Sequence, residues 1–240
     1  MADFWDLHCH YVLGVDDGAR TLVESQGILE GLAKLGFSRV IGTPHMRPGL
    51  FNNSKEDLQA AYAKTLELLA APLLPELGLA SEHYFDDVVF QRVLSGEGLP
   101  YPGGRAVLFE FYEVSFPYTV DHRLADVRRH GLLPIIAHPE RYRAIWSSPD
   151  ILERLVDGGA GALLDVAALA GKYGRQPQKS AEELLKRGLY HAACSDAHRP
   201  EDIDAVRKGM QRVDALYGAE EIQFLFHEGP RALLEGHLPS

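Results

Sequence analysis

Apolar residues recur in seven short runs that read as β-strands, at 4–9, 39–43, 75–80, 106–111, 133–137, 161–166 and 190–195. Between these runs the hydrophobic period lengthens from two to about 3.6 residues, the mark of amphipathic helices. The segment 22–35 sets Ile28, Leu29, Leu32 and Leu35 on one stripe and stops at Gly36. The segment 56–71 does the same with Leu58, Tyr62, Leu66 and Leu69, and 120–130, 149–157, 178–187 and 202–216 follow the same period. Gly36 and Gly188 stand between a helix end and the strand after it, where glycine takes the left-handed position that closes a helix. Alternating strands and helices predict parallel strands joined by right-handed crossovers. With no repeat, low-complexity tract or linker in 240 residues, the pattern predicts one α/β domain over 1–240. A barrel one strand short of the eight-stranded form suits it best, and an open doubly wound sheet is the competing arrangement.

Composition narrows the partners. A formal charge of −10 and the lack of any Lys/Arg run argue against a nucleic-acid-binding face, because phosphate backbones attract basic surfaces. An anionic small substrate stays compatible, since a buried metal cluster makes a local positive well inside an acidic protein. No apolar run approaches the roughly 20 residues that cross a bilayer, and the first residues do not read as a signal peptide. Two cysteines make no disulfide framework, so a reducing cytoplasm is the expected compartment.

Metal-capable side chains then fall into place on the strands. The stretch "DLHCHYVLGVDDG" at 6–18 carries His8 and His10 at the end of the first run and Asp16 and Asp17 just beyond it. His45 follows the second run, Glu82 the third, Glu110 ends the fourth, His138 follows the fifth, and Asp196 and His198 close the seventh. All lie at carboxyl ends of strands, where parallel α/β enzymes place their chemistry. A strand's period of two sends both members of His8-x-His10, and of Asp196-x-His198, to one side. A lone His-x-His is commonly a core or surface pair, but the pattern repeats at six strand ends. Nitrogen and carboxylate donors without thiolate suit manganese, iron or zinc. Cys9 has the opposite parity to its histidine neighbours and should pack against helices, whereas Cys194 should face the interior. Cys194 and Arg199 in "CSDAHR" stand one residue too close for a cysteine-phosphatase loop, with no glycine-rich cradle, so a thiolate nucleophile is not expected.

Taken together, "DLHCH", "GTPH", "SEHY", "LFEF", "IIAHPERY" and "CSDAH" resemble the PHP (polymerase and histidinol phosphatase) superfamily. "VDDG" and "HPERY" look more narrowly like its bacterial capsule and exopolysaccharide tyrosine phosphatases. The match keeps order and similar spacing from His8 to His198, and the resemblance is taken to cover the whole chain. The resemblance implies a distorted (β/α)7 TIM-like barrel of the PHP type, holding three divalent transition-metal ions, manganese first, with iron or zinc as alternatives. By position it implies one ion on His8, His10, Glu82 and Asp196, a second on Glu82, Glu110 and His138, and a third on Asp17, His45 and His198, with Asp16 in a turn or supporting role.

Arg47, Arg141 and Arg199 each follow a ligand histidine by one to three residues and are the candidate phosphate-binding groups, because guanidinium forks match phosphate oxygens. The implied reaction is hydrolysis of phosphotyrosine by a hydroxide shared between two of the ions. Arg141, Asp196 and His198 carry the catalytic roles, with either Asp196 or His198 assisting proton transfer. Phe51, Phe116 and Tyr118 are loop aromatics that could rim the ring. The family setting implies the tyrosine-rich tail of a membrane-associated autokinase in capsule or exopolysaccharide synthesis as substrate, with no membrane insertion and an oligomer allowed. A histidinol-phosphate-type small-molecule phosphatase is the nearest alternative; a nuclease module on the same barrel fits the acidic charge poorly.

Overall fold

The computed structural model describes residues 3–69 and 74–239. Nine strands run through it: β1 (Phe4–Cys9), β2 (Phe37–Gly42), β3 (His45–Met46), β4 (Glu76–Leu79), β5 (Glu82–Tyr84), β6 (Ala106–Glu110), β7 (Leu133–Ala137), β8 (Gly161–Asp165) and β9 (Ala192–Cys194). All pair in parallel, in two sheets ordered β1-β2-β4 and β3-β5-β6-β7-β8-β9. Each of the seven expected runs contains a strand, and the six expected helices form with ends shifted by a few residues. The last two positions of the expected helix 56–71 lie outside the described residues.

The expected (β/α)7 barrel is met in its parallel α/β character, but the ladder is not one continuous cylinder. Backbone hydrogen bonds link the two sheets where the end of β9 meets β1. The Asp196 N–H donates to His8 O at 2.9 Å and the His10 N–H to Ala197 O at 3.0 Å, joining the end of β9 to β1. Where the chain passes from the first sheet to the second, the Ala80 N–H donates to Gly42 O at 2.8 Å, extending the β2–β4 ladder, and the Glu82 N–H to Pro44 O at 3.2 Å, leading into the β3–β5 pair. The ladder breaks where Pro44, which has no N–H, separates β2 from β3.

Both faces of β6, β7, β8 and β9 are buried, as is usual for parallel sheets. Val107, Phe109, Ile136, Ala162, Leu164 and Ala193 face a core shared with helix residues such as Ile28, Leu124 and Leu184. Their neighbours Ala106, Leu108, Ile135, Leu163, Ala192 and Cys194 pack on one another in a second cluster built mostly from strands. Cys9 belongs to the first cluster and Cys194 to the second, as strand alternation predicts. The same alternation carries Glu110 beyond Leu108, and Asp196 beyond Cys194, to the inner side. Among the described residues, no helix is long and apolar enough to cross a membrane.

Candidate metal centre

Seven of the nine expected ligands are buried, His198 keeps partial exposure, and Asp17 is open to solvent. Four overlapping groups bring their donor atoms within reach of a single ion: His10, Asp17, His45 and His198; His8, His10 and Glu82; His8, His138 and Asp196; His45, Glu82 and Glu110. Glu82 is at the centre. Its carboxylate lies 3.4 Å from His8 Nε2, 2.8 Å from His45 Nδ1 and 2.8 Å from His138 Nε2. Asp196 Oδ1 is 3.2 Å from His8 Nε2 and 3.3 Å from His10 Nε2. Asp17 Oδ1 faces His45 Nε2 at 3.4 Å and His198 Nε2 at 3.5 Å. His138 thus comes together with His8 and Asp196, while His45 meets Glu110.

Donor chemistry fits metal ions. Among the described residues, eight buried side-chain atoms lack a well-directed hydrogen-bond partner, and six of them belong to this cluster: His8 Nε2, His10 Nε2, His45 Nδ1, His138 Nδ1, Glu110 Oε2 and Asp196 Oδ1. Unpaired buried polar atoms are costly. Their concentration at one point, on imidazoles and carboxylates, is what a divalent-ion site requires.

The supporting bonds lock the rings. His8 Nδ1 meets Thr43 Oγ1 at 2.5 Å, and His10 Nδ1 meets Asp16 Oδ2 at 2.8 Å, which leaves each Nε2 aimed at the centre. Asp16 also accepts from the backbone N–H of Gly18 at 2.8 Å and of His45 at 3.1 Å. Gly18 lies so close to His10 that a β-carbon there would meet His10 O at 2.3 Å. Asp6 accepts from the backbone of His8 and Ser195 and so ties β1 to the end of β9. Two of the expected ligand positions have unusual backbone: His138 (φ 32°) and Asp196 (φ 44°) are the described non-glycine residues with left-handed backbone.

Crowded charge shapes the titration. Burial together with the charge of Glu82 pushes Glu110 up to about 7. Burial and the Arg141 guanidinium push His138 down to about 4. Burial opposes a charged His198, but Asp196 and Asp17 overcome it and raise the group to about 9. Burial likewise opposes ionised Glu82, yet His45 and His8 hold it well below the usual carboxylate range.

The three arginines differ. Arg141 Nη1 donates to Asp196 Oδ2 at 2.7 Å, and its guanidinium carbon lies 4.6 Å from the Tyr173 ring centre. Arg47 Nη1 is 3.6 Å from Glu110 Oε2, over the ring of Tyr84 at 4.1 Å. Arg199 Nη1 instead donates to the carbonyls of Asp17 at 2.9 Å and His198 at 2.7 Å, stapling the 16–18 loop to the end of β9. Of the loop aromatics, Phe51 stacks flat on His45 at 5.1 Å, Phe116 packs against Phe111 and Tyr142, and Tyr118 is fully exposed. Cys194 is buried, and burial raises its thiol well above the ordinary range. Thr43, Asp6 and Tyr173 are not among the expected site residues; Asp6 opens the quoted motif "DLHCH" and Thr43 lies inside "GTPH", whereas Tyr173 lies in none.

The chain is similar to the tyrosine-protein phosphatase YwqE of Bacillus subtilis (strain 168), 27% identical over 241 residues covering 95% of this chain and 91% of the relative. It is similar to the tyrosine-protein phosphatase CpsB of Streptococcus pneumoniae, 26% identical over 244 residues, 97% of this chain and 99% of that one. A solved structure from work on YwqE and CpsB, described there as unique metal-dependent tyrosine phosphatases, superposes with a TM-score of 0.89 at 25% identity, covering 98% of this chain and 96% of its own. The family model for capsular polysaccharide synthesis, CpsB/CapC, matches residues 4–235, and the chain belongs to that family.

Proposed function

We propose that this protein is a metal-dependent protein-tyrosine phosphatase, with water and a phosphotyrosine side chain as reactants and free tyrosine side chain and inorganic phosphate as products. The observation that carries the reading is the convergence of six unpaired buried donor atoms beneath Arg47 and Arg141, in a chain whose relatives bear that name. His8, His10, Glu82 and Asp196 would hold one ion, Glu82, Glu110 and His138 a second, and Asp17, His45 and His198 a third, with manganese the leading identity and iron or zinc the alternatives. The central place of Glu82 among His8, His45 and His138 supports a bridging role. When bound, such ions lower the pKa of coordinated water and offset charge on phosphoryl oxygens.

The chain's own groups do the rest. Arg47 and Arg141 supply guanidinium donors to the non-bridging phosphate oxygens. Arg199, a candidate phosphate-binding group from its place directly after His198, acts in this reading by fixing the Asp17 loop beside His198. Asp196 and His198 are the groups assigned to handle the proton at the departing oxygen. A phenolate leaves readily, its parent pKa being about 10, so little acid assistance is needed. We read the two linked sheets as the seven staves of a distorted PHP-type barrel in one domain, with kinked β2–β3 and β4–β5 each counting as a single stave. The proposed substrate is the tyrosine-rich tail of a membrane-associated autokinase, met in the cytoplasm, where two free buried cysteines are at home.

The test is a panel of phosphotyrosine peptide, histidinol phosphate, phosphoserine peptide and single-stranded DNA, with metal content measured on the same preparation. Turnover should be dominated by the phosphotyrosine peptide. A preference for histidinol phosphate or DNA overturns the reading.

A further inference from the structure

We propose that Tyr173 is a positioning residue that holds the guanidinium of Arg141 in place for phosphate. The inference rests on the reading of Arg141 as a phosphate-binding group. Its starting point is β8, whose expected run carries none of the nine expected ligands at its carboxyl end. The segment after β8 contributes differently. It passes through a short 3-10 turn (Val166–Ala170) and then the turn 171–174, before the helix Arg175–Lys186. Gly171 (φ +80°) and Gly174 (φ +93°) bracket Lys172 and Tyr173, and both adopt backbone that other residues rarely take. The turn is closed by the Gly171 N–H on Ala168 O at 2.9 Å and the Gly174 N–H on Gly171 O at 3.0 Å. Tyr173 is therefore presented from a fixed frame, and its ring also packs against the helix-side core.

Two contacts lead from this turn to the site. The Arg141 guanidinium carbon lies 4.6 Å from the Tyr173 ring centre, within cation–π range, while Nη1 bonds Asp196 at 2.7 Å. The arginine is thus held between a carboxylate and an aromatic ring and retains partial exposure. Lys172 Nζ pairs with Asp202 at 2.9 Å, and the other Asp202 oxygen accepts the backbone N–H of His198 at 2.9 Å and Arg199 at 3.0 Å. One rigid turn therefore steadies both Arg141 and the backbone of His198. Without the ring, a long flexible side chain would have to be ordered by phosphate itself, and that entropy would appear as weaker binding.

The experiment compares metal-loaded wild type with Tyr173→Leu, Tyr173→Phe, Arg141→Ala and the Arg141→Ala/Tyr173→Leu double variant. Steady-state kinetics on a phosphotyrosine peptide are paired with calorimetric affinity for inorganic phosphate, metal content and thermal unfolding. Tyr173→Leu should weaken phosphate and raise KM by about three- to tenfold, with metal content unchanged and kcat less affected. Tyr173→Phe should restore phosphate affinity to within about twofold of wild type, since phenylalanine keeps the π-face. In the Arg141→Ala background, Tyr173→Leu should have no further effect, because the arginine it steadies is gone. If Arg141→Ala is impaired while Tyr173→Leu binds phosphate as wild type does, or if the two losses simply multiply, the positioning role is wrong and the clamp stands. If Arg141→Ala itself binds phosphate normally, the clamp reading falls, and this inference with it.

Discussion

Replacing Asp16 with alanine isolates the role of a residue that binds no metal in the proposed scheme. Its carboxylate accepts three hydrogen bonds: from or with His10 Nδ1 at 2.8 Å, and from the backbone of Gly18 at 2.8 Å and His45 at 3.1 Å. Alanine removes the anchor of His10 and strands two backbone donors. A buried donor left unpaired costs about 1–3 kcal/mol, so the pair predicts roughly 2–6 kcal/mol of lost folding stability. The orientation of His10 is a separate effect. Loss of a group that steers a ligand imidazole lowers metal affinity by about 10- to 100-fold. Asp16→Asn retains one acceptor oxygen and should fall between the two. The assay is competition of metal-loaded protein against a chelator, read by bound metal, with thermal unfolding run on the same samples. Asp16→Ala should surrender metal at a chelator concentration at least about tenfold lower than wild type. An alanine variant that melts early but keeps metal as tightly as wild type would show that Asp16 only braces a loop, and would refute the argument.

Chelation should abolish phosphatase activity and lower the melting temperature, because the six unpaired donor atoms lose their compensation; full activity in metal-free protein would sink the metal reading. Cys194→Ser should keep most of the activity, since the thiol is buried and donates to Leu164 O at 3.2 Å, a bond serine can reproduce; trapping a phosphocysteine would contradict this. His191 tests linkage away from the site: burial pushes it down to about 4, so its folded form stays neutral while the unfolded chain takes up a proton below about 6.5. Its contribution is therefore intact above that value and is lost as pH falls towards 4, by up to about 1.4 kcal/mol per pH unit. In His191→Gln, denaturant stability should fall less between pH 7 and 5 than in wild type, and an unchanged difference would place the titration elsewhere.

The parts of the fold most legible in sequence are those whose signals are local. Apolar runs mark β1, β6, β7 and β8 nearly to the residue, because most of their positions are buried and hydrophobic. The short strands His45–Met46 and Glu82–Tyr84 were invisible, since polar ligands interrupt any apolar pattern there. The helix Asp87–Ser95 is not among the expected helices although Asp86 caps it and Gly96 ends it in left-handed backbone. At the carboxyl terminus, Gly229-Pro230 disguises helical segments that pack Phe226 against Phe4 and Phe37. The site divides in the same way. Its histidines and acids declare themselves by type and position at strand ends. Tyr173 and Thr43 do not, because their importance comes from a neighbour far along the chain, and a tyrosine or threonine in a loop is ordinary by itself.

The left-handed backbone at His138 and Asp196 bears on how this family can decay. Holding a residue with a β-carbon in that conformation costs on the order of 1 kcal/mol, a standing burden that the folded protein carries at two points of its centre. Only the usefulness of an imidazole and a carboxylate there justifies it. A descendant released from catalysis would have no reason to keep either, and glycine would relax the chain without disturbing the loops around it. Glycine at positions 138 and 196, in an otherwise intact relative, would therefore be the expected fossil of an enzyme that had become a scaffold.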